Sequence, residues 1–196
     1  MTSKKPRPAS AVVLAGGDSR RMGRDKALLP VAGKPLIETI VLRLRERFDD
    51  ILISAGRADD YRFLGLEIVP DAAPGQGPLR GVASALPRIK HDLAFVTACD
   101  IPGIDLEFVE HLIDLAEGRD LVLPFRPPDL YEPLFAVYRR SVAGPAEDVL
   151  AAGRRSLLDL LDKVRVRRVE IPEGLSLGNI NTRADYRTLV GGPPKR

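Results

Sequence analysis

The sequence predicts an α/β fold built on a mostly parallel, mixed central sheet. Short apolar runs alternate with amphipathic helical patterns through the first 118 residues, which is typical of parallel strands joined by crossover helices. Beyond residue 120, strand-like runs enclose Leu- and Ala-rich helical segments, so we expect antiparallel pairing there. With 196 residues, 44% of them hydrophobic, the chain can bury one sizeable core. We therefore expect a single domain over residues 10–190, between flexible tails at 1–9 and 191–196.

The first half of the chain predicts strands and helices in strict alternation. A helix over residues 35–48 is indicated because its apolar positions fall on one face and Pro35 suits a first helical turn. Residues 93–97 are almost wholly apolar, as in a strand covered on both faces. The predicted strands are 11–14, 51–53, 67–69 and 93–97, and the predicted helices are 35–48, 79–89 and 106–118.

The second half predicts three more strands, at 121–123, 134–138 and 164–171, with helices at 141–152 and 156–161. The proline-rich stretch 124–133 has two interpretations. It is either a mobile rim beside a site or a set of prolines that punctuate a long turn.

Composition argues against several function classes. The formal net charge is only +3, aromatic residues make up 5% and tryptophan is absent, so we expect no nucleic-acid binding. No apolar run is long enough for a signal-peptide core or a membrane span. Cys99 is the single cysteine, which excludes an internal disulfide and favours a reducing, cytoplasmic location. Small anionic ligands fit this composition best.

A glycine- and arginine-rich segment follows the first predicted strand. Gly16 and Gly17 are followed by three arginines, Arg21 among them, and then by Lys26. Glycines let backbone N–H groups approach phosphate oxygens, and the cations neutralise phosphate charge. The spacing matches neither the P-loop nor the dinucleotide fingerprint. The segment therefore predicts a polyphosphate site of another kind.

Two aspartates follow other predicted strands and should face the same crevice, because ligands of open α/β sheets bind at the carboxyl ends of the strands. Asp100 ends the fourth predicted strand, and Asp71 follows the third at the start of a glycine-rich loop. Beside a phosphate segment, Asp100 is interpreted as a Mg²⁺ ligand. The alternative is a cap for the helix entered through Pro102. Asp71 is either a nucleoside contact or an ordinary turn residue.

Several sequence blocks together resemble the molybdenum cofactor guanylyltransferases over about residues 10–190. The amino-terminal block, from Leu14 to Leu36, is similar to the nucleotidyltransferase signature. The later blocks are 77–81, 99–102, 132–136 and 179–182. The sequence departs from the family at Ser54 and Gly56, where asparagine is common.

The resemblance implies a Rossmann-like three-layer fold of the nucleotide-diphospho-sugar transferase kind, and it implies site residues. It assigns nucleotide binding to Leu14, Ala15, Gly16, Gly17, Lys26, Asp71 and Asp100. It assigns catalysis to Lys26, Asp100 and Arg21, and Mg²⁺ to Asp100. It assigns molybdopterin binding to Arg154, Arg155, Asn179 and Asn181.

The implied reaction is transfer of GMP from GTP to the terminal phosphate of molybdopterin, with release of pyrophosphate. A phosphate nucleophile is largely ionised at neutral pH, since its second pKa is about 6, so no general base is required. GTP and molybdopterin are the implied partners, together with proteins that supply and accept the cofactor. Three alternatives stay open: cytidylyl transfer from CTP, a non-catalytic adaptor that binds GTP or molybdopterin, and transfer to a sugar phosphate.

Overall fold

A computed structural model describes residues 7–15, 25–56, 58–71, 76–180 and 182–191. Its main sheet has the strand order β10-β7-β9-β6-β1-β4-β5, with β8 beside β7, and β2 and β3 form a separate hairpin. The strands are β1 (Ser10–Leu14), β2 (Pro30–Val31), β3 (Lys34–Pro35), β4 (Ile51–Ala55), β5 (Glu67–Pro70), β6 (Leu93–Ala98), β7 (Leu121–Arg126), β8 (Leu130–Tyr131), β9 (Phe135–Arg139) and β10 (Val166–Glu170).

Parallel pairing joins β5, β4, β1 and β6, and also joins β7 to β10. Strand β9 runs antiparallel to both β6 and β7, and β8 is antiparallel to β7. The mixed sheet with antiparallel pairing in its later part is thus confirmed. The start of β9 consequently lies at the same edge of the sheet as the carboxyl ends of its neighbours.

Helices cover both faces of the sheet and complete a three-layer architecture. One core cluster contains the buried faces of α1 (Leu36–Arg45) and α3 (Leu106–Asp114). The other contains those of α2 (Pro78–Ala85) and α4 (Ala143–Ala151). Every residue of β1 is buried, as expected for a central parallel strand. A fifth helix, α5 (Arg183–Gly191), follows the last block of the sequence.

The predicted elements differ from the observed ones mainly at their ends. Helix α2 stops at Ala85 and continues as a 3₁₀ turn over Leu86–Arg88, because Pro87 cannot donate the next helical hydrogen bond. Helix α1 ends at Arg45 rather than at residue 48. The predicted helix 156–161 is a 3₁₀ helix over Leu157–Leu160, which Ser156 caps.

The proline-rich stretch 124–133 is a short hairpin. Phe125 pairs with Tyr131 and Arg126 pairs with Leu130, so the sequence-based choice between a mobile rim and a long turn missed a strand, β8. In the part of the chain that the structure describes, no helix is long and apolar enough to cross a membrane.

Candidate active site

The crevice lies at the topological switch point of the sheet. Strand β1 connects to β4 on one side, whereas the chain returns from β5 across β1 to β6 on the other, and ligands of open α/β sheets bind where the strand order reverses in this way. At this point the Cys99 N–H donates to the Leu14 carbonyl oxygen at 3.0 Å. The expected meeting of the first and fourth predicted strand ends is confirmed.

Asp100 stands directly after β6 and is fixed by its backbone. Its carbonyl oxygen accepts a hydrogen bond from the Ile180 N–H at 2.9 Å. Burial raises the pKa of the Asp100 carboxyl, and the positive charge of Lys26 opposes the shift. The helix-cap interpretation of Asp100 is wrong, because α3 is capped by Asp105, whose Oδ1 accepts from the Phe108 N–H at 2.9 Å. Asp100 is therefore a partly buried carboxylate at the crevice that does not cap a helix.

Lys26 begins a 3₁₀ helix over Lys26–Leu28. Asp25 caps this helix, since its Oδ1 accepts a hydrogen bond from the Ala27 N–H at 3.0 Å. The positive charge of Lys26 opposes the rise in the pKa of both Asp100 and Cys99. Three predicted residues, Gly16, Gly17 and Arg21, lie outside the described residues, so their assignments remain predictions.

Sequence reasoning missed Tyr61. This residue belongs to a 3₁₀ segment over Ala58–Leu64 and is 2% exposed. Its hydroxyl lies 3.1 Å from the Ala15 carbonyl oxygen and 2.6 Å from Asp25 Oδ2. Burial and the neighbouring Asp25 carboxylate raise the pKa of Tyr61, which keeps the hydroxyl a donor. No motif marks this position, and a tyrosine between polar residues gives no signal of burial.

Asp71 follows β5 and meets Ser54 at the end of β4. The Ser54 hydroxyl donates to Asp71 Oδ1 at 3.1 Å. Burial raises the pKa of Asp71, while the Ser54 hydrogen bond and the charge of Arg80 oppose the shift. Arg80 itself donates to Gln76 at 2.8 Å and to Glu147 on α4 at 2.6 Å.

Gly81 allows α2 to pack tightly against this cluster. A Cβ at Gly81 would lie 2.9 Å from Ser54 Oγ and 3.2 Å from Leu14 Cδ2. The end of β1, the end of β4 and the start of α2 therefore converge beside Asp71. This convergence agrees with the expectation that Leu14 and Asp71 face one crevice.

Three of the four predicted molybdopterin residues, Arg154, Arg155 and Asn179, lie in the described part of the chain. Asn179 is exposed beside Ile180, which packs into the core under α1 and α3. Arg154 and Arg155 follow α4 on the opposite face, where Leu157 packs into the other core cluster. The neighbours of these two groups thus pack into different core clusters, on opposite faces of the sheet. Asn181 lies outside the described residues.

The loop that carries the two arginines approaches the start of α2. The Arg155 carbonyl oxygen lies 3.7 Å from the position of a Cβ at Gly77, the residue that precedes α2. Arg154 pairs with Asp159 at 3.5 Å. Both arginines are exposed, so their charges face the solvent side of this edge.

The donors at this strand end are few, and they fit only a cation whose other ligands come from phosphates and waters. Over the described ranges, no group of three or more His, Cys, Asp or Glu side chains is placed to hold a metal. Mg²⁺ needs only one or two carboxylates when phosphates and waters complete its shell. Asp100 supplies one partly buried carboxylate at this strand end, and burial raises its pKa. Cys99 is not a ligand of this kind, because burial raises the pKa of its thiol to about 12.

Comparison with known proteins identifies the family to which the chain belongs. Residues 11–167 match the family model of the MobA-like NTP transferase domain. The chain belongs to this family. Membership confirms the nucleotidyltransferase class that the resemblance implied.

Named relatives are similar over most of their length. A probable molybdenum cofactor guanylyltransferase of Carboxydothermus hydrogenoformans is 36% identical, covering 92% of this chain and 94% of the relative. A molybdenum cofactor guanylyltransferase of Pseudomonas putida is 37% identical, covering 89% and 94%. The molybdopterin-guanine dinucleotide biosynthesis protein A of Archaeoglobus fulgidus has a TM-score of 0.79 and 26% identity, covering 93% of this chain and 97% of that one. The fold expected from the resemblance is confirmed.

Proposed function

We propose that the protein transfers GMP from GTP to the terminal phosphate of molybdopterin, yielding molybdopterin guanine dinucleotide and pyrophosphate. The family and the guanylyltransferase names of relatives at 36–37% identity support this reaction. The observation that carries the proposal is the direct bond from Cys99 N–H to the Leu14 carbonyl oxygen. It brings the Asp100 carboxylate to the start of the predicted phosphate segment.

The residues act by alignment and by cancellation of charge. Lys26 offers an ammonium group to the phosphates of GTP beside Asp100, and charge-assisted hydrogen bonds of this type strengthen as negative charge develops on the leaving pyrophosphate. Arg21 adds a second cation. Asp71, Leu14 and Ala15 hold the nucleoside at the ends of β1 and β5. No proton transfer by a side chain is needed, since the attacking phosphate is already ionised.

A bound Mg²⁺ would supply charge neutralisation of the triphosphate and orient its α-phosphorus. Asp100 is the residue that would hold it. Burial raises the pKa of this carboxyl. A bound divalent cation would lower that pKa, because it favours the ionised form. Arg154, Arg155, Asn179 and Asn181 are the proposed contacts for molybdopterin, which would lie across the sheet edge between the two faces.

The test measures pyrophosphate release from purified protein with Mg²⁺, molybdopterin and either GTP or CTP. We expect release with GTP only when molybdopterin is present. Faster release with CTP would replace the proposal by cytidylyl transfer, and GTP binding without any release would favour an adaptor.

A pair of variants separates site from fold. Asp100→Asn should abolish release, whereas Asp105→Asn should retain it, because asparagine also caps helices well. Both aspartates follow β6 within a few residues, so the second variant controls for a change of charge at this edge. Equal activity of the two variants would contradict the role of Asp100.

A further inference from the structure

Tyr61 contacts the residues on both sides of the segment 16–24. The single proton of its hydroxyl is shared between two acceptors, Asp25 Oδ2 at 2.6 Å and the Ala15 carbonyl oxygen at 3.1 Å. Ala15 directly precedes the segment and Asp25 directly follows it. Because the side chain is 2% exposed, both contacts are made away from bulk solvent.

Asp25 carries this restraint to Lys26. One carboxylate oxygen of Asp25 accepts from Tyr61 and the other accepts from the Ala27 N–H at 3.0 Å. A carboxylate held at both oxygens cannot rotate without losing a hydrogen bond. The helical turn that begins at Lys26 is therefore fixed relative to the end of β1, which is itself bonded to Cys99 next to Asp100.

We propose that Tyr61 is a positioning residue for nucleotidyl transfer. Its hydroxyl fixes the separation of Ala15 and Asp25, and through Asp25 it sets the place from which Lys26 meets the phosphates of the nucleotide. This inference rests on the proposed function. Tyr61 itself lies between β4 and β5 and takes no direct part in the chemistry.

The test is Tyr61→Phe, which removes one oxygen and keeps the ring. We expect kcat/KM for Mg·GTP, measured by pyrophosphate release, to fall roughly tenfold to a hundredfold, because small displacements of a charge-cancelling group are costly in rate. We also expect kcat to fall, and not only KM to rise, since the Lys26 charge acts in the transition state as well as in the bound state.

Combining Tyr61→Phe with Lys26→Ala shows whether Tyr61 acts through Lys26. The dissociation constant of Mg·GTP is measured by calorimetry for Tyr61→Phe in the wild-type chain and in Lys26→Ala. If Tyr61 works by placing Lys26, its substitution weakens binding in the first background and changes it less than about twofold in the second, because residues in one chain of contacts are non-additive.

The control is Tyr138→Phe. Tyr138 is also buried, and its hydroxyl donates to a backbone carbonyl, that of Pro133, at 2.8 Å. Its loss removes a comparable hydrogen bond that involves neither Ala15 nor Asp25, so we expect a lower unfolding midpoint with unchanged kcat and KM.

The possible outcomes distinguish a wrong role for Tyr61 from a wrong proposed function. Wild-type kinetics in Tyr61→Phe, or an equal loss of binding in both backgrounds, would overturn the role of Tyr61 while leaving the reaction in place. A wild-type protein that releases no pyrophosphate from GTP and molybdopterin would overturn the proposed function, and the inference about Tyr61 with it.

Discussion

Gly81→Ala tests the close packing that brings α2 to the crevice. In an open helix this change stabilises a protein, because alanine is favoured over glycine by about 1 kcal/mol. Here the new methyl group would lie 2.9 Å from Ser54 Oγ and 3.2 Å from Leu14 Cδ2, with Asp71 Oδ1 at 3.6 Å. The first distance is shorter than real Cβ contacts, so either the Ser54 hydroxyl or the helix must shift.

Either shift is expected to destabilise the folded protein. Ser54 is 2% exposed, and its hydroxyl is bonded to Asp71 Oδ1 at 3.1 Å. Overpacking in a well-packed core costs about 1–3 kcal/mol, which against the gain in helix propensity leaves a net loss of about 0–2 kcal/mol. GTP binding should also weaken, because Asp71 and Leu14 line the same cluster.

The assay is chemical denaturation of Gly81→Ala, Ser54→Ala and the double variant, with Mg·GTP binding measured alongside. Removing Ser54 Oγ removes the shortest contact, so Gly81→Ala should be neutral or stabilising in that background. A coupling of about 1 kcal/mol or more is expected for groups in contact. A stabilised single variant, or no coupling, would refute the packing argument.

Three further predictions concern charge. Asp100→Asn should unfold at a higher denaturant concentration than wild type at pH 7 without metal, while losing pyrophosphate release. The reason is that burial raises the pKa of Asp100, so wild-type stability falls as pH rises through the folded-state pKa; an unchanged pH profile would contradict this. Lys26→Ala should raise the Kd for Mg·GTP and lower kcat, each roughly tenfold or more, and unchanged constants would place Lys26 outside the site. Asp49→Asn should destabilise slightly above pH 4, because the bonds from Lys90 and His91 lower the pKa of Asp49 from 3.8 to about 2. That difference should vanish as pH falls through about 2, and urea titrations at several pH values test it.

The sheet was predictable because its signals are local. Apolar runs such as β1 and β6 alternate with one-sided helical patterns, and the strand-end rule then predicts that Leu14 and Asp100 converge without any knowledge of strand order. Helix α5 likewise begins with a local pattern, because Thr182 and Asp185 exchange reciprocal hydrogen bonds of 2.7 and 3.1 Å.

The missed features depend on contacts between distant parts of the chain. Strand β8 consists of two residues, Leu130 and Tyr131, that become a strand only by pairing with β7, and their proline neighbours obscure it. The partners of the Tyr61 hydroxyl lie 36 and 46 positions earlier in the chain. No short stretch of sequence therefore contains both Tyr61 and its partners. Leu157 and Ile180, next to the predicted molybdopterin residues, pack on opposite faces of the sheet, and composition and spacing do not indicate which face each connection crosses.

The bond between Ile180 N–H and the Asp100 carbonyl oxygen has a consequence for the order of synthesis. Asp100 leaves the ribosome long before Ile180 does, so a nascent chain can build the four parallel strands β5, β4, β1 and β6 while this edge is still open. Ile180, which is translated later, then closes it. This edge of the sheet is therefore completed only after Ile180 has emerged.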